Sequence, residues 1–419
     1  MKQADSTTNP QTEMSIGRRW LSFVIVLLVS ILGSMVMFKA SPLFPELMTD
    51  MGFTGSNIGL MMSMYTIIGI VLAFPAGGIL TKSGFKWCLI IVCVSLIVGG
   101  ALGAVATSVT MLLVSRFIEG IANGIIAVIA GAAAPAILPE NKQGLGMGLS
   151  TIWFPGGAII ALNLAPALSA GMGWRGVWWF MTAIAVILFV MILLLFKVPA
   201  APARQAGPEA ATGSAPAVKP MWASIIVTSI VMACFGLVFG GAVGSFYPTF
   251  LQQAHGMDSQ MAGFATSIIN IVNVAFAPVV GIISDRFHTK KGLIVVGAAI
   301  MAVLYIFAFS STLPLVWVYI CGMGICNGFV ATGLYSVIPV LARDPRKIGI
   351  GMACLALFQN LGIFCGSTFF GILQVNMGWN AADLSLLLPA ALVALVAAIF
   401  IKMPAKAGNK VAEKAAAKA

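Results

Sequence analysis

Long apolar stretches separated by short polar segments dominate the chain from end to end. A helix that crosses a bilayer needs about 20 mostly apolar residues. The spacing of the polar segments predicts an all-α membrane protein with 12 transmembrane helices. The predicted spans are Trp20–Ala40, Asn57–Leu80, Trp87–Ala106, Thr110–Ile137, Gly144–Leu168, Val177–Phe196, Trp222–Phe246, Gln260–Ser284, Gly292–Phe309, Leu313–Leu341, Ile348–Gln374 and Ala381–Ile401.

The composition supports a membrane protein and excludes several other classes. Hydrophobic side chains make up 60% of the 419 residues and charged ones only 8%, against about 25% charged in soluble domains. This balance excludes a soluble globular protein, an intrinsically disordered chain and a nucleic-acid-binding protein. The net charge of +11 is interpreted as a signal of orientation and of contact with anionic lipid, because the basic residues lie in short loops and a tail.

The distribution of lysine and arginine predicts the orientation of the helices. With the N-terminus placed inside, 20 of the 23 Lys and Arg residues fall in the tails and inward loops, as the positive-inside rule requires. The three exceptions are Lys39, Arg116 and Arg175. Both termini are therefore predicted to be cytoplasmic, in a multi-pass protein of a bacterial cytoplasmic membrane.

The second half of the chain repeats the first. A shift of 204 residues places Asn123-Gly124 on Asn327-Gly328, and a shift of 205 places Met172-Gly173-Trp174 on Met377-Gly378-Trp379. The repeat predicts two six-helix bundles in the same orientation, the organisation of transporters that rock about a midplane site. The predicted organisation is a cytoplasmic tail at 1–19, a first bundle at 20–198, a flexible linker at 199–221, a second bundle at 222–402 and a basic tail at 403–419.

Two loops and one helix carry motifs that point to a family. The loop after the second predicted span combines glycines with basic residues, and the second half repeats the pattern with an intact Asp-Arg pair. The residues are Gly77, Thr81, Lys82 and Gly84 in the first copy and Gly281, Asp285 and Arg286 in the second. The fourth predicted span contains Arg116-Phe-Ile-Glu119-Gly120, followed by Gly124.

On these motifs the chain resembles the major facilitator superfamily over essentially its whole length outside the two tails. The resemblance implies a secondary transporter and implies that the glycine-containing loops form a cytoplasmic latch between the halves. Thr81 stands where the family usually has an aspartate, so the first latch lacks an ionic partner. The resemblance also implies that Arg116 and Glu119 are associated with proton coupling.

Ionisable side chains inside predicted spans are candidates for function, because each costs about 2.5–3.5 kcal/mol to insert near the centre of a membrane helix. Arg116 and Glu119 are three residues apart and therefore share one helix face. Glu119 is the candidate proton-coupling residue, and Lys39 and Arg116 are candidate anion-binding residues. The alternatives are a structural ion pair of Arg116 and Glu119, snorkelling of Lys39 to the outer interface, and pairing of Lys39 with Glu46 or Asp50.

Neutral polar side chains complete the candidate substrate-binding set. They are Tyr65, Tyr247, Asn270, Asn273, Asn327, Tyr335 and Asn360. Such groups hydrogen-bond a polar solute, or bond across helices instead, which contributes about 0.6 kcal/mol each. The pattern places charge in the first half of the transport site and neutral hydrogen-bonding groups in the second.

The leading hypothesis is a secondary transporter for a small anion, coupled to protons or to anion exchange. The proline-rich end of the first span and Trp153-Phe-Pro-Gly-Gly157 are similar to the prokaryotic cyanate and nitrate/nitrite-type permeases. That resemblance implies an arginine in helices 2 and 8 of a nitrate carrier. Neither predicted span contains one, so a monocarboxylate-like anion is preferred over nitrate. The alternatives are a proton-coupled multidrug exporter and a non-transporting membrane sensor.

No spacing in the chain indicates catalysis, a metal site or a cofactor, so a transporter is predicted and not an enzyme. The expected partners are the anionic solute, protons or a counter-anion, and the lipid bilayer, with no nucleic acid. The chain is expected to be a monomer.

Overall fold

The computed structural model of the protein describes residues 14–198, 220–287, 290–310, 313–343 and 345–404. Most of the predicted linker (199–219) and most of both predicted tails (1–13 and 405–419) lie outside the described residues. Every regular element in the described ranges is a helix. The predicted all-α class is therefore confirmed.

The described residues form seven α-helices before the linker and eight after it. A 3-10 turn at Ser41–Leu43 joins α1 to α2, and π-helical turns at Gly236–Val243 and Asp383–Leu387 precede α9 and α15. The first seven helices are α1 Ile16–Phe38, α2 Phe44–Met51, α3 Gly55–Leu72, α4 Pro75–Ala104, α5 Val109–Ile137, α6 Glu140–Ser150 and α7 Trp153–Leu195. The others are α8 Trp222–Phe235, α9 Gly244–His255, α10 Ser259–Phe287, α11 Lys290–Leu304, α12 Leu313–Ala342, α13 Pro345–Met377, α14 Trp379–Ala382 and α15 Leu388–Phe400.

Ten helical stretches in the described ranges are long and apolar enough to cross a membrane. Two of them contain a break in the helical backbone, at Gly84 in α4 (φ 75°) and at Gly173 in α7 (φ 66°). Glycine adopts this left-handed backbone conformation without steric cost because it has no Cβ. The ten stretches support a many-span membrane protein, while the number of twelve spans and the cytoplasmic placement of the termini stay predictions.

The helix ends nearest to the two tails gather on one side of the bundle, which we call the tail side. Near the start of α1, the Ser22 hydroxyl donates to the carbonyl of Lys197, which follows α7, at 2.6 Å. At the start of α11, Lys291 Nζ donates to the carbonyl of Ile399 near the end of α15, at 2.7 Å. The opposite side is the far side.

The two halves of the chain touch along α3 and α13, which run antiparallel. A Cβ on Gly59 would overlap the backbone carbonyl of Ser367, so the backbones approach as closely as glycine allows. Beside this crossing the Ser63 hydroxyl lies 2.7 Å from the Ser367 hydroxyl and 2.5 Å from that of Thr368. Small residues and short hydroxyl bonds are the usual means by which membrane helices pack closely.

Further contacts close the far side. The Ser41 hydroxyl donates to the carbonyls of Gly244 (3.0 Å) and Ser245 (2.7 Å) across the halves. The inter-half hydrogen bond nearest to the tail side joins Asn123 Nδ2 to Asn360 Oδ1 at 3.0 Å. Beyond that pair, the described residues form no hydrogen bond between the halves. The protein is therefore in a conformation that is closed on the far side.

Candidate functional site

Three charged side chains meet inside the first half and form the Lys39–Glu119–Arg116 cluster. Lys39 Nζ lies 2.7 Å from Oε1 of Glu119, and Arg116 Nη1 lies 2.7 Å from Oε2 of the same carboxylate. All three side chains have an exposed fraction of 0%. Arg116 and Glu119 share one face of α5, as their spacing predicts, and Lys39 reaches them from the end of α1.

The end of α1 also positions the arginine. The last carbonyls of a helix have no partner in a following turn, and Arg116 donates to two of them, Val36 O at 2.8 Å and Met37 O at 3.0 Å. A cation at a helix C-terminus interacts favourably with the helix dipole as well. The arginine therefore joins α5 to α1 by backbone bonds in addition to its ion pair.

Two aromatic rings cover the cations. Lys39 Nζ lies 4.4 Å from the centroid of the Trp178 ring, and the guanidinium of Arg116 lies 4.7 Å from that of Tyr65. These are cation–π distances, and the attraction is strongest where water is excluded. The Tyr65 hydroxyl donates to the Gly33 carbonyl at 2.7 Å, which fixes the ring beneath the guanidinium.

The cluster carries a net charge of +1, because two cations share one carboxylate. Within the described part of the chain, no other acidic side chain lies within ion-pair distance of Lys39 or Arg116. Arg116 Nε and the indole nitrogen of Trp178 are buried and have no hydrogen-bond partner there. The cluster thus combines an uncompensated positive charge with N–H donors that remain unpaired.

The structure overturns two alternatives for Lys39. Its side chain does not extend to the membrane interface, because it is fully buried against Glu119. It does not pair with Glu46 or Asp50 either. The Glu46 carboxylate accepts hydrogen bonds from the Ser169 hydroxyl and the backbone N–H of Trp174, and Asp50 accepts one from the Trp174 indole at 3.2 Å.

The structure brings two of the predicted neutral residues to the cluster or to the contact between the halves. Tyr65 covers Arg116, and Asn360 bonds to Asn123 across the halves. Tyr335 donates to Gln359 Oε1 at 3.2 Å and keeps 46% of its surface exposed, so this polar pair remains accessible.

The other predicted neutral residues lie elsewhere in the second half. Asn270 in α10 and Asn327 in α12 are buried, and Asn273 is half-buried beside Gly328. Tyr247 in α9 packs against the rings of Phe250 and Phe309. None of these four side chains contacts the charged cluster.

Sequence reasoning missed three residues at these places: Asn123, Asp383 and Trp178. The sequence did contain a signal for Asn123, because this residue follows Glu119 by one helical turn on the same face of α5. It also contained a signal for Asp383, which is an acid two residues inside the last predicted span. Nothing in the sequence pattern distinguished Trp178 from other membrane tryptophans.

The predicted latch residues of the first copy lie in α4. The Thr81 hydroxyl donates to the Gly78 carbonyl at 2.9 Å, and Lys82 is exposed. Nothing lies within 4 Å of a Cβ built on Gly77 or Gly84. In the second copy Arg286 is exposed, and the surroundings of Gly281 and Asp285 lie outside what the structure describes. Latching by these seven residues stays a prediction.

Comparison with known proteins finds similar chains among probable nitrate transporters. "Probable nitrate transporter NarT" of Staphylococcus epidermidis is 24% identical over 341 residues, which cover 79% of this chain and 83% of that protein. The protein of the same name from Staphylococcus carnosus is 24% identical over 370 residues, or 84% of this chain and 88% of its own.

Solved structures show the same fold at low sequence identity. A bacterial homolog to the human lysosomal transporter Spinster, in an inward-facing and occupied conformation, has a TM-score of 0.70 and 16% identity and covers 93% of this chain and 95% of its own. A D-xylose-proton symporter has a TM-score of 0.70 and 17% identity, with 91% and 97% covered. The sequence profile of the Major Facilitator Superfamily matches residues 23–262 and 239–419. The chain therefore belongs to the Major Facilitator Superfamily.

Proposed function

We propose that this secondary transporter carries a small anion, with a monocarboxylate-like solute preferred. The family and the many apolar helices make the chain a multi-pass protein of a bacterial inner membrane. One observation carries the proposal: the Lys39–Glu119–Arg116 cluster holds a net positive charge at membrane depth, with every side chain fully buried.

A buried charge selects the sign of a nearby solute. Arg116 and Asn123 are seven residues apart on α5, which corresponds to about 10 Å along a helix axis. A unit charge at about 10 Å changes the energy of a monovalent ion by about 2 kcal/mol at the effective dielectric constant found near protein sites. An anion at the Asn123–Asn360 pair is favoured by this amount, and a cation is disfavoured equally.

The neutral residues supply the rest of the proposed solute shell. Asn123 and Asn360 come from different halves, so a solute bound by both amides contacts both moving parts. The exposed Tyr335–Gln359 pair lies on the second half, where the sequence predicts neutral hydrogen-bonding groups. Such a site between two rocking halves is accessible from one side at a time, as alternating access requires.

Proton coupling through Glu119 is part of the proposal. Both carboxylate oxygens of Glu119 accept a hydrogen bond from a basic side chain in this conformation. A proton on Glu119 would release Lys39 and Arg116, and an anion that pairs with them would compensate for the loss. Proton and anion binding are then mutually favourable, which is the linkage expected of a symporter.

Nitrate belongs in any solute panel, because the relatives from Staphylococcus carry the name of a nitrate transporter. This chain nevertheless has no arginine in α3, and its one arginine in α10 is Arg286 near the helix end. We therefore rank nitrate below a monocarboxylate as the transported anion.

The first prediction concerns anion-dependent stability of the purified protein. A solute that binds only the folded state stabilises it by mass action and so raises the melting temperature. At a hundredfold excess over the dissociation constant, the free energy of unfolding rises by about 2.7 kcal/mol. We expect a small carboxylate or oxyanion to raise the melting temperature, and lipophilic cations to leave it unchanged. In Lys39→Met, the anion concentration needed for the same rise in melting temperature should increase by about tenfold or more. The reason is that this variant leaves only the neutral Arg116–Glu119 pair.

Lys39→Arg is the matched control, since it retains the charge and should retain the anion effect. Stabilisation by lipophilic cations alone would contradict the anion proposal and support the multidrug exporter, with Glu119 as its buried acid. Anion binding without flux into proteoliposomes would instead support the non-transporting sensor.

A further inference from the structure

Asp383 is the one fully buried acidic side chain in the described part of the second half. It begins the π-helical turn Asp383–Leu387, inside the last apolar stretch, Trp379–Phe400. π-helical turns within helices occur frequently at functional sites. Its Oδ2 accepts the backbone N–H of Phe309 at 3.1 Å, while Oδ1 is buried without a hydrogen-bond partner among the described residues.

The surroundings of Asp383 are aromatic. The Phe309 ring lies between 4.7 and 5.8 Å, centroid to centroid, from the rings of four other residues. These are Tyr247, Phe250, Phe370 and Trp379. The Tyr247 hydroxyl is itself buried and unpaired within the described ranges. The residue that donates to the acid is therefore part of an aromatic cluster, in which the Tyr247 hydroxyl is unsatisfied, as is Oδ1 of the acid.

The titratable groups around the acid are phenols and one imidazole. Tyr247 lies in α9 and Tyr305 follows α11, and both are buried. Tyr319 lies in α12. His255 packs edge-on against the Phe250 ring at 5.1 Å. Among the described residues no Lys, Arg or His side chain lies within ion-pair distance of Asp383.

This environment is the opposite of the one around Glu119. Two cations lie 2.7 Å from the Glu119 oxygens and compensate its negative charge. An ionised carboxylate without a cation in an apolar interior is so costly that the group takes up a proton instead. The two fully buried acids of the described residues therefore lie in opposite electrostatic surroundings.

We propose that Asp383 is a proton-binding site of the second half, protonated while the far side is closed and deprotonated once that side opens. The proton is exchanged with water on the far side, where it adds to or leaves a carboxylate oxygen and no other bond changes. The proposal rests on the proposed rocking of the two halves and not on which solute they carry.

Helix α9 connects this acid to the contact between the halves. The first two residues of α9, Gly244 and Ser245, accept hydrogen bonds from the Ser41 hydroxyl of the first half. The next residue, Phe246, packs against Phe44 with ring centroids 6.2 Å apart, and Tyr247 follows it. Opening the far side breaks these contacts and brings water along α9 to the acid. Proton binding then favours the closed state, by linkage.

The test is a distance measurement across the far side at different pH values. Met48 and Gln253 face each other from the two halves, with 4.0 Å between the sulfur and the amide nitrogen. Spin labels on Met48→Cys and Gln253→Cys, with the 7 native cysteines replaced by alanine, report this distance by double electron–electron resonance in nanodiscs without added solute. Between about pH 5 and pH 8 the ratio of closed to open molecules should fall by about tenfold or more.

Asp383→Asn removes the titrating group but keeps an acceptor for the Phe309 N–H. This variant should remain closed at both pH values. Asp50→Asn is the matched control, because Asp50 is an exposed acid of the first half bonded to the Trp174 indole, and it should keep the wild-type response. A pH response that persists in Asp383→Asn would overturn the proposal.

The wild-type titration can overturn the proposal even if Asp383→Asn does not fold. A distance distribution that is independent of pH shows that no far-side proton controls the closed state. Since the measurement uses no solute, failure of the anion proposal leaves this readout unchanged. Conversely, a Lys39-dependent anion effect would survive the loss of any pH response.

Discussion

Replacing Glu119 with glutamine is expected to lower the free energy of unfolding by about 3–5 kcal/mol, the cost of leaving a buried charge without its partner. In this protein the change strands two cations, since Lys39 Nζ and Arg116 Nη1 each lie 2.7 Å from a Glu119 oxygen. The amide oxygen still accepts a hydrogen bond but contributes no negative charge. Thermal unfolding of the purified protein in detergent measures the difference from the wild type.

Lys39→Met is the matched comparison for this prediction. It removes a cation in place of the carboxylate and fills the space with an unbranched, adaptable side chain. The remaining Arg116–Glu119 pair is neutral, so the loss of stability should be smaller than in Glu119→Gln. The double variant retains one unpaired cation and should melt between the two. If Glu119→Gln is as stable as Lys39→Met, the net charge of the cluster does not have the importance proposed for it.

In the Lys39–Glu119–Arg116 cluster, the proximity of Arg116 and Glu119 could be predicted from sequence. The position of Lys39 depends on tertiary packing. A helix brings residues three apart onto one face, so the proximity of Arg116 and Glu119 follows from spacing alone. Lys39 is 80 residues away from Glu119 in the chain, and its partner depends on how α1 packs against α5. Spacing therefore left three options open for Lys39: an anion site, the outer interface, or a pair with Glu46 or Asp50. The partner that the fold supplies, Glu119, is not among them.

The buried acid of the second half shows a different limit. An acid near the end of a predicted span is ordinarily read as an interfacial residue, and Asp383 lies two residues inside such a span. Its burial comes from the turn after α11 and from rings at Tyr247, Phe309 and Trp379, which are far apart in the chain. No local pattern contains that information.

The internal repeat predicts similar halves, and their chemistry differs all the same. The repeated positions are mainly glycines, which control packing and turns. The charges do not repeat: the first half buries a compensated carboxylate with a surplus cation, and the second buries a carboxylate without a cation. We propose that the first half senses the anion and the second senses the far-side proton.

Gly263→Leu is expected to hold the far side open. In the closed conformation α10 crosses α7 so tightly that a Cβ on Gly263 would overlap the carbonyl oxygen of Leu162. Rotating a side chain cannot relieve an overlap with backbone, so the two helices must separate. Overpacking of this kind costs about 1–3 kcal/mol, which reduces the closed population about 5–150-fold. Solute uptake should fall accordingly, because the cycle needs the far side to close.

The label pair on Met48 and Gln253 measures this shift directly, as a longer distance in Gly263→Leu. Gly171→Leu is the control, because Gly171 is also helical, lies on the far-side part of α7 and has nothing within 4 Å of an added Cβ. The shift should be the same at low and high pH, since steric overlap does not titrate, and this separates it from the effect of Asp383. A closed distance in Gly263→Leu would mean that the α7–α10 crossing is not part of far-side closure.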